Sequence, residues 1–319
     1  MKNLNDVSIV IVNYNGEKLL QAALKSVYKL KFNYGFEVIV VDNNSDDGSI
    51  GFIQKKYKDV IIVKNKHNLG YSGINSALKH CKGKFVLFLN NDIEIGSSCL
   101  EKLYNNVLNK DVAMAVPRIV NYYDKGLKSY GTWVSRSFYC GHIGENPIVK
   151  EVPYLGVGII RKDIVEKFGY LFDPDYFIYG EDLDLGLRIR LLGMKTLLVG
   201  NAILYHMHSA TMQNSSSSKK IFLMERNLIV TFFKVLSLKN VILFLPYVIG
   251  FRISAIVRDI LTLQFSKAFG RIMALLFVAL NFGAIMEKRK KLQKLRRASD
   301  SFILKVFSEK YIFKRPFTV

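Results

Sequence analysis

Three short apolar runs, Val7–Val12, Phe36–Val41 and Phe85–Leu89, each end abruptly on a polar cluster: Asn13–Asn15, Asp42–Ser45 and Asn90–Asp92. Runs of this length, rich in β-branched side chains, read as strands buried on both faces. Between them the periodicity changes. Leu19, Leu20, Ala23, Leu24 and Val27 recur at helical spacing. Ile50–Tyr57, then Ile74, Ala77 and Leu78, then Leu100, Leu103, Val107 and Leu108 predict three more helices. Val60–Val63 and Val112–Val116 are further short strands. This alternation predicts a mainly parallel, doubly wound α/β sheet. Such sheets bind ligands beyond the carboxyl ends of their strands, where the three polar clusters would stand together. No Gly-x-Gly-x-x-Gly follows the first run, so the dinucleotide fingerprint is absent.

Residues 117–150 are rich in Tyr, Gly, Ser and Lys and predict irregular loops or hairpins, a candidate acceptor-facing surface. Val152–Ile160 reads as one strand. Glu181–Leu192 reads as a helix with Leu183, Leu187 and Leu191 on one stripe and Gly193 as its stop. Thr196–Val199 and Ala202–Tyr205 read as two short strands. Asn214 and Ser215–Ser218 form a polar hinge, which divides the chain into an α/β domain over 1–218 and a helical region over 219–319. In that region Ile249, Ile253, Ile256, Ile260 and Leu263 step by four and three, with Arg252 and Asp259 off the stripe; the simplest reading of the stripe is core. Ile272–Met286 is a 15-residue run whose only strongly polar member is Asn281. It falls short of the ~20 residues that a membrane-spanning helix needs.

Half of the 319 residues are hydrophobic, enough for a sizeable core. The net charge of +20 is uneven: residues 1–218 carry 26 Lys and Arg against 21 Asp and Glu, and residues 219–319 carry 20 against 5. Lys288–Arg297 alone holds seven basic residues in ten. The tail therefore predicts a polyanionic partner. It interleaves few aromatics and contains no recognised nucleic-acid module, which argues against nucleic acid and for an anionic membrane surface, with 241–286 lying along or dipping into it. Cys81, Cys99 and Cys140 show no paired spacing, which predicts a reducing compartment and no disulfide framework. Val7–Val12 is too short for the apolar segment of a secretory signal. The expected location is the cytoplasmic face of the cell membrane, peripheral or monotopic.

Glu181, Asp182 and Asp184 fall in the first turn of a predicted helix, where carboxylates are ordinarily stabilising against the helix dipole. Asp184 also makes an i,i+4 pair with Arg188 and is read as structural. Asp182 is a candidate general base, a role that needs a carboxylate held beside a hydroxyl; Glu181 next to it is a candidate substrate contact. Asp92, which could merely cap a turn, pairs in chemistry with His206, 24 residues after Asp182. A carboxylate and a neutral imidazole suit Mg²⁺ or Mn²⁺, with water and phosphate oxygens completing the shell. Asp42 could likewise cap a turn or accept the N3–H of a pyrimidine.

Five stretches in register carry a family resemblance: Ser8–Gly16 (SIVIVNYNG), Val40–Ser45 (VVDNNS), Asn68–Tyr71 (NLGY), Phe88–Asp92 (FLNND) and Gly180–Asp184 (GEDLD). Over residues 5–210 the chain resembles glycosyltransferase family 2, and most of all its rhamnosyltransferase-like members of cell-surface polysaccharide synthesis. The resemblance implies a GT-A fold and an inverting reaction. It implies that Val12 and Tyr14 line the base pocket, that Asp42 binds uracil or thymine, and that Asn68 and Gly70 approach the nucleotide. Asn90, Asn91 and Asp92 occupy the place of the family's Asp-x-Asp motif, with Asp92 and His206 as metal ligands and Asp182 as catalytic base. Asn90 departs from the pattern, leaving one carboxylate fewer for a cation or ribose. The expected activity moves a sugar from a dTDP- or UDP-linked donor to a glycan or polyprenyl-linked acceptor. The alternative is a non-catalytic nucleotide-sugar-binding subunit of a membrane glycosyltransferase complex.

Overall fold

The computed structural model describes residues 5–125, 127–129, 131–142, 149–207 and 217–310. His208 and the Asn214–Ser216 part of the expected hinge lie outside the described residues. The first half folds as its alternation predicts. Strands β1 (Asn5–Asn13), β2 (Gly35–Asp42), β3 (Ile61–Lys64) and β4 (Phe85–Asn90) lie parallel in the order β3-β2-β1-β4. Helices α1 (Glu17–Val27) and α2 (Ser49–Lys56) connect the first three. The sheet thus grows in opposite directions from β1, and the reversal leaves a crevice at the carboxyl ends of β1 and β4.

Beyond β4 the sheet becomes mixed. After β5 (Ile93–Ile95) and α3 (Cys99–Val107), β6 (Val112–Asn121) runs farther than its apolar stretch suggested. It passes through Pro117, opposite the point where the register of its parallel neighbour β12 (Lys195–His206) shifts between Val199 and Ile203. Proline has no N–H for the ladder, and an irregularity there is its usual accommodation. The same shift explains why two short strands were expected where one long strand stands. β7 (Leu127–Ser129) pairs with β6, and β8 (Thr132–Val134) with β9 (Cys140–His142) makes the hairpin expected in this region.

Other expectations also need correction. Val152–Ile160 is not one strand: β10 (Val149–Glu151) ends at the sheet edge beside β12, and β11 (Gly158–Arg161) inserts antiparallel between β4 and β6. Pro153 separates them, and the intervening segment packs on α5 (Glu181–Leu191), where a side chain at Gly186 would strike the Pro153 carbonyl. The expected third helix is instead a run of 3₁₀ turns over Gly70–His80. Its Asn, Ser and Gly residues compete for backbone groups; Asn75, for example, bonds the backbone of Leu171 and Phe172.

α4 (Lys162–Phe168) follows β11 and stops at Gly169. α5 has no solvent face: besides the leucine stripe, Arg188 and Arg190 are fully buried. Gly193, at φ 80°, ends its turn as expected. The tail is helical, with α6 (Ser217–Val235), α7 (Leu238–Leu261), α8 (Phe265–Leu280), α9 (Phe282–Gln293) and α10 (Asp300–Leu304). Leu228, Ile229 and Phe232 of α6 belong to the same continuous core as the sheet. On α7 the apolar stripe does not form core. Arg252 and Asp259 are 1% and 0% exposed, whereas Ile253 and Leu263 just beyond the helix are 52% and 75% exposed. The buried charges are paired, Arg252 with Glu225 at 3.1 Å and Asp259 with Arg271 at 2.9 Å.

Candidate functional site

Strand register assembles the site. Val12 pairs with Asn90 and Asn13 with Asp42, so the polar ends of β1, β2 and β4 lie side by side. β5 and β12 pair His206 with Ile93, and the Met207 N–H donates to the Asp92 carbonyl at 2.9 Å. These pairings bring His206 Nε2 to 3.2 Å from Asp92 Oδ2. Two ligands bonded at about 2.1 Å and at right angles would themselves be about 3.0 Å apart, so the pair fits adjacent positions on one divalent cation. Among the described residues no third His, Cys, Asp or Glu joins them as a ligand cluster.

Asn13 knits the strand ends together. Its amide donates to Asp42 Oδ1 at 3.4 Å and to Ser45 Oγ at 3.2 Å, while its oxygen accepts from Asn91 at 2.8 Å. Asp42 is buried, and its other oxygen accepts the Ser45 N–H at 3.1 Å. Val12 and Tyr14 are half-buried on either side of Asn13. Asn68 accepts the Gly70 N–H at 2.8 Å and an amide bond from Asn43 at 3.3 Å, and Asn43 also donates to the Gly70 carbonyl at 2.9 Å. Gly70 stands at φ 61°, where a side chain would run into the Phe177 carbonyl. Its neighbour Tyr71 donates its N–H to that same carbonyl at 2.9 Å, tying the loop to the segment that leads into α5.

Tyr71 feels the charge of three of the candidate acids. Its buried hydroxyl accepts from the Asn90 amide. Burial raises its ionisation well above the ordinary tyrosine value, and Asp92, Glu181 and Asp182 add to the effect. Asp92, which pairs with His206, and the two carboxyls at the start of α5 thus all act on the field at one hydroxyl. Glu181 is buried, whereas Asp182 is partly exposed and accepts the Leu183 N–H at 2.8 Å. Desolvation raises Asp182 to about 6. Desolvation and then the charge of Asp182 raise Glu181 to about 8. Both carboxyls are thus raised toward neutrality, Glu181 further than Asp182, so that Asp182 is the more readily ionised of the two. Asp184 keeps the structural role expected of it, bonding Arg188 at 2.7 Å and Lys234 at 2.6 Å in the interior. Asn13, Asn43 and Tyr71 were not singled out as site residues. The asparagines lay within polar strand ends and Tyr71 beside a turn, but their partners are distant in sequence.

Residues 8–168, just over half of the chain, match the model of Glycosyl transferase family 2. The chain belongs to glycosyl transferase family 2. The matched stretch of this family 2 chain includes Asp42 and Asp92 and ends before Asp182 and His206. Poly(ribitol-phosphate) beta-glucosyltransferase of Bacillus spizizenii is 36% identical to it over 105 residues, 31% of this chain and 17% of that protein. O-antigen biosynthesis protein RfbC of Myxococcus xanthus is 27% identical over 224 residues, 64% of this chain and 17% of that protein. The low-salt glycan biosynthesis hexosyltransferase Agl10 of Haloferax volcanii is 27% identical over 201 residues, 59% of this chain and 62% of that protein. The chain thus spans under a fifth of the length of the first two relatives. Among solved structures, GalNAc-T7 with UDP, GalNAc and Mn²⁺ has a TM-score of 0.74 at 17% identity, covering 99% of this chain and 59% of that one. Staphylococcus aureus TarS 1-349 with UDP has a TM-score of 0.57 at 18% identity, covering 91% and 88%. This family 2 chain has the GT-A fold, a mixed, mostly parallel sheet followed by a helical C-terminal region.

Proposed function

We propose that this chain is an inverting glycosyltransferase of cell-surface polysaccharide synthesis, which passes a sugar from a dTDP- or UDP-linked donor to a glycan or polyprenyl-linked acceptor. The reading rests above all on one observation: at the carboxyl edge of the sheet His206 stands 3.2 Å from Asp92, and Asp92, Glu181 and Asp182 all act electrostatically on the Tyr71 hydroxyl. Asp42, Asn68, Gly70 and the asparagines that join them receive the nucleotide, with Val12 and Tyr14 beside its base. Asp92 and His206 hold a divalent cation, Mg²⁺ or Mn²⁺, which when bound offsets the charge on the departing diphosphate. Asp182 accepts the proton of the acceptor hydroxyl as that oxygen attacks the anomeric carbon opposite the diphosphate, so the configuration inverts. Glu181, the carboxyl raised further of the two, contacts the bound sugar. The relatives named for ribitol-phosphate polymer, O-antigen and glycan synthesis support a surface polymer as the product. Rhamnose is the sugar favoured by the motif resemblance.

The enzyme works docked on the cytoplasmic face of the membrane. Two helices support this, since α7 and α8 turn Leu243, Tyr247, Ile253, Ile260, Phe269 and Leu276 to the outside while Arg252, Asp259 and Arg271 face in. That is the inverse of a soluble helix and the pattern of one whose outer face meets lipid. α7 is long and apolar enough to cross a membrane, but its opposite face is packed on protein, and α8 and α9 are separated by a 69° bend. A monotopic arrangement satisfies both.

Purified protein screened against dTDP- and UDP-sugars, with and without Mn²⁺, tests the central reading. The expected result is metal-dependent binding and slow hydrolysis of one donor class, and a product of opposite anomeric configuration by NMR. Absence of binding to every nucleotide sugar would reject it.

A further inference from the structure

α6 begins at Ser217, beyond the family-matched residues, yet it reaches the loop that leads into the base. That loop is conformationally demanding. Tyr179 stands at φ 70° and Gly180 at φ 81°, two successive left-handed residues, and Tyr179 has a side chain that disfavours the conformation. α5 starts immediately afterwards, and Asp182 is its second residue.

Asn227, fully buried on α6, closes the loop. Its amide nitrogen donates to the Ile178 carbonyl at 3.1 Å and the Tyr179 carbonyl at 2.6 Å. Two carbonyl partners fix which end of the amide faces the loop. Its oxygen accepts from Arg226 Nε at 2.8 Å, and its own carbonyl accepts from the Tyr176 hydroxyl at 3.1 Å. Its Cβ also packs on Gly180, where an added Cβ would sit 3.3 Å away. The helix that carries Asp182 is anchored to α6 a second time, through Lys234 and Asp184 at 2.6 Å.

We propose that Asn227 is a positioning residue for Asp182: its two amide bonds hold the Tyr179–Gly180 turn and so set where the carboxylate stands relative to the acceptor. The proposal rests on the assignment of Asp182 as base. α6 is then a working part of the active site as well as the first helix of the tail.

The test is Asn227→Asp, which keeps the shape and turns both donors into an acceptor facing two carbonyls. The expected result is a kcat lowered roughly 10- to 100-fold, the scale of a small misplacement of a reacting group, with donor KM and donor affinity by calorimetry unchanged. Asn227→Ser, which keeps one donor, should recover part of the kcat, and it carries the test alone if the aspartate variant does not fold. Phe232→Leu, a core change on the same helix, controls for loss of packing and should lower Tm without lowering kcat. A lower Tm with unchanged kcat in the Asn227 variants would overturn the proposal, as would a donor KM that rises in step with the fall in kcat. Asp182→Asn in the same assay separates the two claims. Full transfer by that variant overturns the base assignment and this proposal with it. Loss of transfer there, with normal kcat in the Asn227 variants, overturns this proposal alone.

Discussion

Glu181 and Asp182 adjoin in sequence and are both raised by desolvation, but they differ because Glu181 also feels the charge of Asp182 while the Leu183 N–H stabilises the Asp182 carboxylate. Only the ionised form of Asp182 can accept a proton. With its carboxyl raised to about 6, chiefly by desolvation, the active fraction grows as pH rises through that value. A kcat–pH profile should therefore show an acid limb with its midpoint near 6, and activity should be flat above it until another group titrates. A limb near the ordinary aspartate range would mean that the carboxylate is well solvated. A kcat that falls as pH rises through 6 would contradict a base at this position. Asp182 and Glu181 influence each other, so the limb belongs to the pair.

At the scale of elements, the base helix is held by charge in the interior. Lys234 meets Asp173 and Asp184, each at 2.6 Å, and Lys288 of α9 meets Asp173 at 2.6 Å. Removing one partner from such a cluster strands the others in low dielectric, which typically costs about 3–5 kcal/mol. Lys234→Met should lose about that much stability in urea unfolding; a loss near zero would show that water reaches the cluster. None of this was legible beforehand. Lys234 sits in an apolar helix some fifty residues from Asp184, and no local spacing connects them. What could be read were strands that end on asparagine and aspartate, because a buried strand must stop where its side chains turn polar. The stripe on α7 was read correctly as a period but not as a direction. Periodicity separates two faces, and only packing decides which one turns inward. The same holds for the basic stretch at 288–297: Lys288, Arg289 and Arg296 bond Asp173, the Phe233 carbonyl and the Val235 carbonyl, and so fasten α9 and the chain after it to the core.

For the whole molecule, these two facts shift the weight of the proposed membrane docking from charge to apolar contact. The purified chain should float with liposomes of mixed neutral and anionic lipid, keep much of that binding at high salt, and leave DNA and RNA unshifted. Ile253→Gln with Phe269→Gln should weaken flotation without lowering transfer to a soluble acceptor. Complete release by salt would instead assign the attachment to the basic residues alone. Flotation concerns where the enzyme works, whereas its central claim is chemical: the sheet edge and α5 supply two separate functions, donor capture and proton removal. Single-turnover transfer with saturating donor, measured for wild type and Asp182→Asn alongside donor affinity by calorimetry, separates them most directly. The account predicts a rate loss of about 10²–10⁴-fold with donor affinity unchanged. Wild-type transfer by the Asp182→Asn protein, or donor affinity lost together with the rate, would contradict it.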